Sequence, residues 1–174
     1  MIIRKLHKDD REQIHRLIIE TAVFSDEEVN IAMELIDIFI NNPNQKDYDL
    51  YSAIENGEVL GYICIGPTPI TDGTYDLYWI VVKVLSHGKG VGKKLIQFAE
   101  NSVMKNNGRL LVAETSSQEK YRNTREFYLR VGYSELAKIN DYYKVGDDLI
   151  IYGKYLYPEK TGPNSIFNNN FGGQ

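Results

Sequence analysis

Three glycines, Gly88, Gly90 and Gly92, lie close together after a run rich in β-branched and aromatic residues and before an apolar stripe of helical spacing. A glycine-rich turn between a strand and a helix exposes backbone N–H groups, and the positive end of the helix dipole points at the same place. This arrangement favours the binding of an anion such as a pyrophosphate. An ordinary glycine-rich turn is the alternative interpretation.

Two nucleotide-binding motifs do not fit this segment. The P-loop motif G-x-x-x-x-G-K-[ST] fails because only three residues separate Gly88 from Gly92 and because Lys94 takes the position of the hydroxyl residue. The dinucleotide fingerprint G-x-G-x-x-G fails because Gly92 follows Gly90 after a single residue. The sequence therefore predicts an anion site of another kind.

The elements that would hold this loop alternate between strands and helices. Helical stripes begin after the pairs Asp9/Glu12, Ser25/Glu28 and Ser116/Glu119, which have the spacing of capping boxes. Asn56-Gly57 predicts a tight hairpin turn, and Asn107-Gly108 predicts a helix end. The predicted order is strand 2–6, two helices, strands 48–54, 59–65 and 74–84, a helix from 91, strand 110–115, a helix to 132, and strands 133–143 and 149–156.

Composition excludes several classes of protein. The chain has 174 residues, of which 43% are hydrophobic and 25% charged, so it is typical of one globular domain. Its net charge of −4 gives no basic field for nucleic acid, and we expect no nucleic-acid partner. The single cysteine, Cys64, excludes an intramolecular disulfide and a multi-cysteine zinc site, and no metal is expected. No apolar run is long enough for a membrane span or a signal peptide, which favours a cytoplasmic protein without membrane contact.

The segment with His87, Gly90 and Gly92 resembles the signature Arg/Gln-x-x-Gly-x-Gly/Ala of the GCN5-related N-acetyltransferase (GNAT) family. His87 departs from the usual Arg or Gln. The order of elements over residues 1–157 is similar to the same family, whereas residues 158–174 are expected to form a flexible C-terminal tail. The resemblance implies an α/β (α+β) domain with a mixed, mostly antiparallel, splayed sheet and about four helices. It also implies transfer of an acetyl group from acetyl-CoA to a primary amine by direct attack in a ternary complex, and it leaves a homodimer open.

The resemblance assigns the cofactor to one strand, the glycine loop and the helix that ends at Gly132. Main-chain groups of the strand would bind the pantetheine arm, and the loop would bind the pyrophosphate. The segment Tyr121-x-x-Thr124-x-x-Phe127-Tyr128-x-x-x-Gly132 resembles the family's Asn-x-x-Ala-x-x-Phe-Tyr-x-x-x-Gly, with Tyr121 at the Asn position. The implied cofactor-binding residues are Ile80, Val81, Val82, His87, Gly88, Lys89, Gly90, Val91, Gly92, Lys93, Tyr121 and Asn123.

Acetylation of an amine requires one group that removes a proton from the ammonium and one that protonates the leaving thiolate. The resemblance places Tyr128 at the position of the general acid. Two carboxylates compete as the base, Glu114 near the end of its strand and Asp76, which strand alternation would put on one face with Tyr78 and Ile80. Glu114 ranks slightly ahead, and a water relayed through Tyr78 or the backbone is a third interpretation.

For the acceptor, the resemblance points to the first two helices and the closing hairpin. Their aromatic and acidic side chains suit a cationic amine, although surface carboxylates are also common without any function. The candidate substrate-binding residues are Phe24, Glu28, Tyr78, Tyr142 and Tyr143. A noncatalytic acyl-CoA-binding or sensor domain of the same fold is the alternative function, and a purely structural domain would leave the anion site without a purpose.

Overall fold

The computed structural model describes residues 1–156, so the predicted C-terminal tail lies outside the described residues. Within them, the helices are α1 (Arg11–Glu20), α2 (Asp26–Asn41), α3 (Val91–Lys105) and α4 (Arg122–Arg130). The strands are β1 (Ile2–Lys5), β2 (Asp49–Glu55), β3 (Glu58–Pro67), β4 (Thr74–Val82), β5 (Leu110–Ser116), β6 (Ser134–Lys144) and β7 (Asp147–Tyr155). None of these helices is long and apolar enough to cross a bilayer.

The seven strands form one sheet in the order β1-β2-β3-β4-β5-β7-β6. Among the strands of residues 1–156, only β4 and β5 pair in parallel, and every other neighbouring pair is antiparallel. The α/β architecture, the predicted order of elements and the mostly antiparallel sheet are therefore confirmed.

Of the predicted capping boxes and turns, one capping box and the hairpin turn are confirmed, and two capping boxes are wrong. Ser25 and Glu28 form the predicted capping box, and Asn56 and Gly57 take positive φ angles of 51° and 81° in the hairpin turn. The pair Asp9/Glu12 does not cap α1, because His7 and Asp10 form a capping box on the 3-10 turn Lys8–Asp10 that leads into α1, and Asp10 is held by Arg4 and Ser52. Ser116 and Glu119 do not cap α4 either, because Ser116 donates to Asp147 instead.

The helices divide between the two faces of the sheet. On one face, α1 and α2 bury Ile14, Ile18 and Ile36 against the sheet. On the other, α3 and α4 bury Leu95 and Tyr128 against it. We call these the α1–α2 face and the α3–α4 face.

A β-bulge at Tyr78 changes which side chains of β4 share a face. On β3, the adjacent residues Cys64 and Ile65 pair with Trp79 and Leu77, so Tyr78 is an extra residue in β4. Leu77 and Ile80 consequently both pack on the α3–α4 face, while Trp79 packs on the α1–α2 face. The prediction that alternation places Asp76, Tyr78 and Ile80 on one face is wrong, because the bulge reverses the alternation.

Strands β4 and β5 separate directly before this bulge. Their pairing runs from Thr74–Leu110 to Leu77–Ala113 and stops there, although β4 continues to Val82 and β5 to Ser116. Beyond that point β5 pairs only with β7 among the described strands. The result is the predicted splay, and we call the unpaired region between β4 and β5 beyond Leu77–Ala113 the opening.

Candidate active site

The glycine loop lies at the end of β4, where it turns into α3. Gly88 and Gly90 have φ angles of +75° and +81°, which L-residues rarely adopt, and a side chain at either position would extend into open space. Gly90 is the N-cap residue of α3. Since the first amides of a helix have no acceptor within it, the N–H groups at 91–93 remain available to a ligand. The loop thus has the geometry that the sequence predicted for an anion site.

A groove of about 600 Å³ runs from this loop along α4 on the α3–α4 face. Nine of the twelve predicted cofactor-binding residues line it, whereas Val81, Lys89 and Tyr121 are not among its lining residues in the described part of the chain. The side chain of Val81 packs on the α1–α2 face instead. The lining residues are Ile80, Val82, Ser86, His87, Gly88, Gly90, Val91, Gly92, Lys93, Asn123, Thr124, Phe127, Arg130 and Val131.

Sequence reasoning missed Ser86, three residues of α4 and the residue that follows α4, all of which line the groove. Those of α4 are Thr124, Phe127 and Arg130, which are spaced three residues apart along the helix, and Val131 directly follows its end. That spacing was visible in the sequence. It indicates which residues share a helix face but not which part of the fold that face meets.

His87, the departure from the family signature, is exposed and makes a hydrogen bond to the backbone. Its Nε2 lies 2.9 Å from the Val82 carbonyl oxygen, which can only accept, so Nε2 carries the hydrogen. This bond joins the loop to the last residue of β4. His87 therefore ties the loop to the end of β4 and also lines the groove.

Tyr128 is buried in the core of the α3–α4 face, with 3% of its surface exposed. Its ring stacks on Tyr152 at 5.6 Å and contacts Tyr133 at the same centroid distance. Burial raises the pKa of the Tyr128 hydroxyl, so this group stays protonated at neutral pH. Tyr128 lies beside the groove-lining Phe127 but does not itself line the groove.

Tyr121 lies on the opposite side from the groove. Its hydroxyl donates to Glu28 Oε1 at 2.6 Å, and its ring lies 6.5 Å from that of Phe24. Phe24 in turn contacts Trp79 of β4 at 5.1 Å. The structure therefore joins two predicted substrate residues, Phe24 and Glu28, to a residue predicted to contact the cofactor, and adds Trp79, which the sequence reasoning missed.

The two candidate bases occupy different positions relative to the opening. Glu114 is the first residue of β5 beyond the last pair with β4 and is exposed. Because Ala113 is buried on the α3–α4 face, Glu114 points to the α1–α2 face. Asp76 lies in the closed part of the sheet, paired on both sides, and accepts a hydrogen bond from Thr68 at 2.8 Å. Glu114 is thus at the opening and is exposed to water.

The hairpin between β6 and β7 carries the aromatic pair Tyr142 and Tyr143, whose rings lie 5.0 Å apart. The pairing of β6 with β7 is interrupted between Ile139 and Lys144, and Asp141 has a φ of +53°. Burial raises the pKa of Tyr143, and the negative charges of Glu114, Asp147 and Glu28 raise it further. Tyr143 therefore lies within the field of Glu114, a candidate base, and of Glu28, a candidate substrate-binding residue.

Tyr78, the remaining substrate-binding candidate, is not in contact with Phe24, Glu28 or Tyr143 but with Tyr48. It is 44% exposed at the bulge, and its ring meets Tyr48 edge-on at a centroid distance of 6.4 Å. No group of three or more His, Cys, Asp or Glu residues in the described part of the chain could hold a metal ion.

Comparison with known proteins identifies the fold. The family model of the acetyltransferase (GNAT) domain matches residues 46–135. A crystal structure described as an acetyltransferase of the GNAT family from Desulfovibrio desulfuricans is 38% identical, with a TM-score of 0.86, and covers 90% of this chain and 99% of its own. An aminoglycoside 6'-N-acetyltransferase complexed with coenzyme A shares 18% identity and a TM-score of 0.73, over 92% of this chain and 100% of that one. The ribosomal-protein-S18-alanine N-acetyltransferase of Escherichia coli shares 17% identity and a TM-score of 0.70, over 95% and 99%. In sequence alone, no curated protein matches the chain.

Proposed function

Because the chain belongs to the GNAT family of acetyltransferases, we propose that it transfers the acetyl group of acetyl-CoA to the nitrogen of a primary amine. Two of the structures that share its fold are named N-acetyltransferases, which supports nitrogen as the acceptor atom. One of them is a complex with coenzyme A, which supports the cofactor.

The groove on the α3–α4 face fits coenzyme A. Its loop offers the amides of 91–93 to a pyrophosphate, and its cationic side chains Lys93 and Arg130 add positive charge. Ile80 and Val82 supply an apolar wall and, beyond the bulge, backbone groups for the pantetheine arm. When bound, acetyl-CoA supplies an activated thioester carbonyl that an amine nitrogen can attack.

The observation that carries the proposal is that two recognition surfaces meet at one opening in the sheet. The groove lies on the α3–α4 face, while Phe24, Trp79, Glu28 and Glu114 lie on the α1–α2 face. The opening between β4 and β5 connects them, since the pairing of these strands ends at Leu77–Ala113. An acceptor and a cofactor could therefore approach each other through the sheet from opposite sides.

Two residues would move protons in this arrangement. Glu114 points to the acceptor side at the start of the opening, where its carboxylate can accept the proton of an ammonium, directly or through a water. Tyr128 lies on the cofactor side, where its hydroxyl keeps a proton at neutral pH because burial raises its pKa. The Tyr128 hydroxyl is the proton source for a departing thiolate.

The proposal is tested by measuring the release of free coenzyme A from acetyl-CoA in the presence of a panel of amines, with the Tyr128→Phe variant beside the wild type. We expect amine-dependent release, and kcat lowered about tenfold to ten-thousandfold in Tyr128→Phe with unchanged affinity for coenzyme A. Tyr62→Phe is the matched control, since Tyr62 is equally buried on the other face and its hydroxyl has no partner among the described residues.

Two results would contradict this proposal in different ways. Binding of coenzyme A without turnover of any amine would indicate the noncatalytic alternative. Full turnover by Tyr128→Phe would remove Tyr128 from the mechanism but leave the acetyltransferase activity in place.

A further inference from the structure

The ammonium of Lys120, between β5 and α4, occupies a setting that recognises alkylammonium groups. Its Nζ donates to the Val23 carbonyl oxygen at 3.0 Å and lies 3.7 Å from Glu28 Oε2. It also lies 4.8 Å from the centroid of the Tyr121 ring. A carbonyl, a carboxylate and an aromatic ring are the three kinds of group that bind organic cations in proteins.

Most of this setting is held in place without Lys120. Glu28 Oε2 accepts the Ser25 amide at 2.7 Å, and Glu28 Oε1 accepts the Tyr121 hydroxyl at 2.6 Å. Although burial raises the pKa of Glu28, these hydrogen bonds and the charge of Lys120 lower it overall, so the carboxylate is ionised. Lys120 itself is 39% exposed and sits on a long flexible stem, so it can swing into solvent and leave the rest intact.

The site borders the opening between β4 and β5 on the acceptor side. Phe24 connects it to β4, because its ring lies 5.1 Å from Trp79 and 6.5 Å from Tyr121. Tyr143 approaches from the hairpin, within the field of both Glu28 and Glu114. The Lys120 ammonium therefore lies on the acceptor side, near residues that also neighbour Glu114.

We propose that Glu28, the Val23 carbonyl and the Tyr121 ring bind a second, non-reacting ammonium of the acceptor, and that Lys120 fills this place until the acceptor displaces it. The acceptor class is then an aliphatic diamine, with one amine at Glu114 and the other at Glu28. An acceptor with a carboxylate at that second position, such as a free amino acid, would meet Glu28 and be disfavoured. This inference rests on the proposed acetyltransferase function and concerns the acceptor half of the same site.

The test compares 1,4-diaminobutane with 1-aminobutane as acceptors, because they differ only in the second amine. Lys120→Met removes the internal competitor but keeps an apolar stem, and we expect it to lower the KM for the diamine about threefold to tenfold without changing that for the monoamine. Glu28→Gln keeps the capping pattern but loses the charge, and we expect it to raise the KM for the diamine at least about tenfold more than the KM for the monoamine.

Two matched variants control for net charge. Lys5→Met removes a lysine on the edge strand β1 that forms an ion pair with Asp49 of β2. Glu27→Gln removes a carboxylate next to Glu28 in the same helical turn. We expect both variants to have the KM values of the wild type for the diamine and for the monoamine. If Lys120 only ties the loop at Val23 to the segment before α4, Lys120→Met will change the KM values for both amines equally, and the inference is wrong.

A binding measurement separates this inference from the proposed function. Calorimetric titration of 1,4-diaminobutane into the protein saturated with coenzyme A requires no turnover. Tighter binding to Lys120→Met and weaker binding to Glu28→Gln would support the cation site even if no amine is acetylated, which would refute the proposed function alone. Equal affinities in the wild type and both variants would refute the cation site, whatever the wild type acetylates.

Discussion

Replacing Gly90 by aspartate would put a negative charge at the N-terminus of α3, in the loop that we propose binds the pyrophosphate of coenzyme A. The position accepts a side chain sterically, because a Cβ built on Gly90 meets no atom within 4 Å. Its φ of +81° makes any side chain strained, by about 1–2 kcal/mol, with Asn and Asp tolerated best. Gly90→Asn is therefore the matched control, since it carries the same strain and shape without the charge.

The difference between the two variants isolates the electrostatic effect. Two unit charges about 4 Å apart interact by about 1 kcal/mol in bulk water and about 4 kcal/mol near a protein surface. We therefore expect Gly90→Asp to bind coenzyme A about fivefold to a thousandfold more weakly than Gly90→Asn. Instability of α3 would not explain such a loss, because an acidic residue stabilises a helix N-terminus by about 0.3–1 kcal/mol.

Isothermal calorimetry with coenzyme A at two salt concentrations measures this difference, and circular dichroism verifies that both variants are folded. The gap between aspartate and asparagine should narrow at high salt, since ions screen exposed charges. Equal affinities of two folded variants would refute the reasoning, because they would mean that no phosphate approaches the loop at Gly90.

Two further predictions concern the catalytic base and strand β3, which pairs with the bulged strand β4. The rate of the wild type should fall at low pH as the base becomes protonated. We expect Glu114→Gln to suppress this acidic limb of the pH–rate profile and Asp76→Asn to keep it. The opposite result would mean that Asp76, and not Glu114, is the base. Gly66→Ala should lower the free energy of unfolding by about 1–3 kcal/mol in denaturant titrations. The reason is that the added Cβ would lie 2.2 Å from the Asp47 carbonyl oxygen and 3.0 Å from the Tyr78 ring. An unchanged denaturation midpoint would mean that this part of β3 shifts to admit the methyl group at little cost.

The sequence predicted those features that depend on neighbours in the chain. Glycines at 88 and 90 adopt the positive φ angles that their position after a strand indicates, and the Asn107 that ends α3 has a φ of +60°. The order of strands and helices follows from such local patterns. The groove could be predicted for the same reason, since its loop and its helix face are each continuous in sequence.

Contacts between distant segments could not be predicted in this way. Tyr121 matches a family position that would face the cofactor, yet its hydroxyl finds Glu28, which is far away in the chain. Asp9 and Asp10 offer nearly the same capping chemistry, and the salt bridge of Asp10 with Arg4 decides between them. In both cases the partner is set by how the helices pack on the sheet, which local spacing does not encode.

The bulge in β4 shows how one such contact shapes the whole site. With strict alternation, Leu77 would share its face with Trp79, and Ile80 would lie on the opposite face with Asp76. The extra residue, Tyr78, instead sends Ile80 and Val82 to the groove and Trp79 to Phe24 on the acceptor side. Bulges also increase the local twist of a strand, and the pairing of β4 with β5 ends directly before this one. The opening through the sheet and the different chemistry of its two sides therefore have a common origin in one inserted residue.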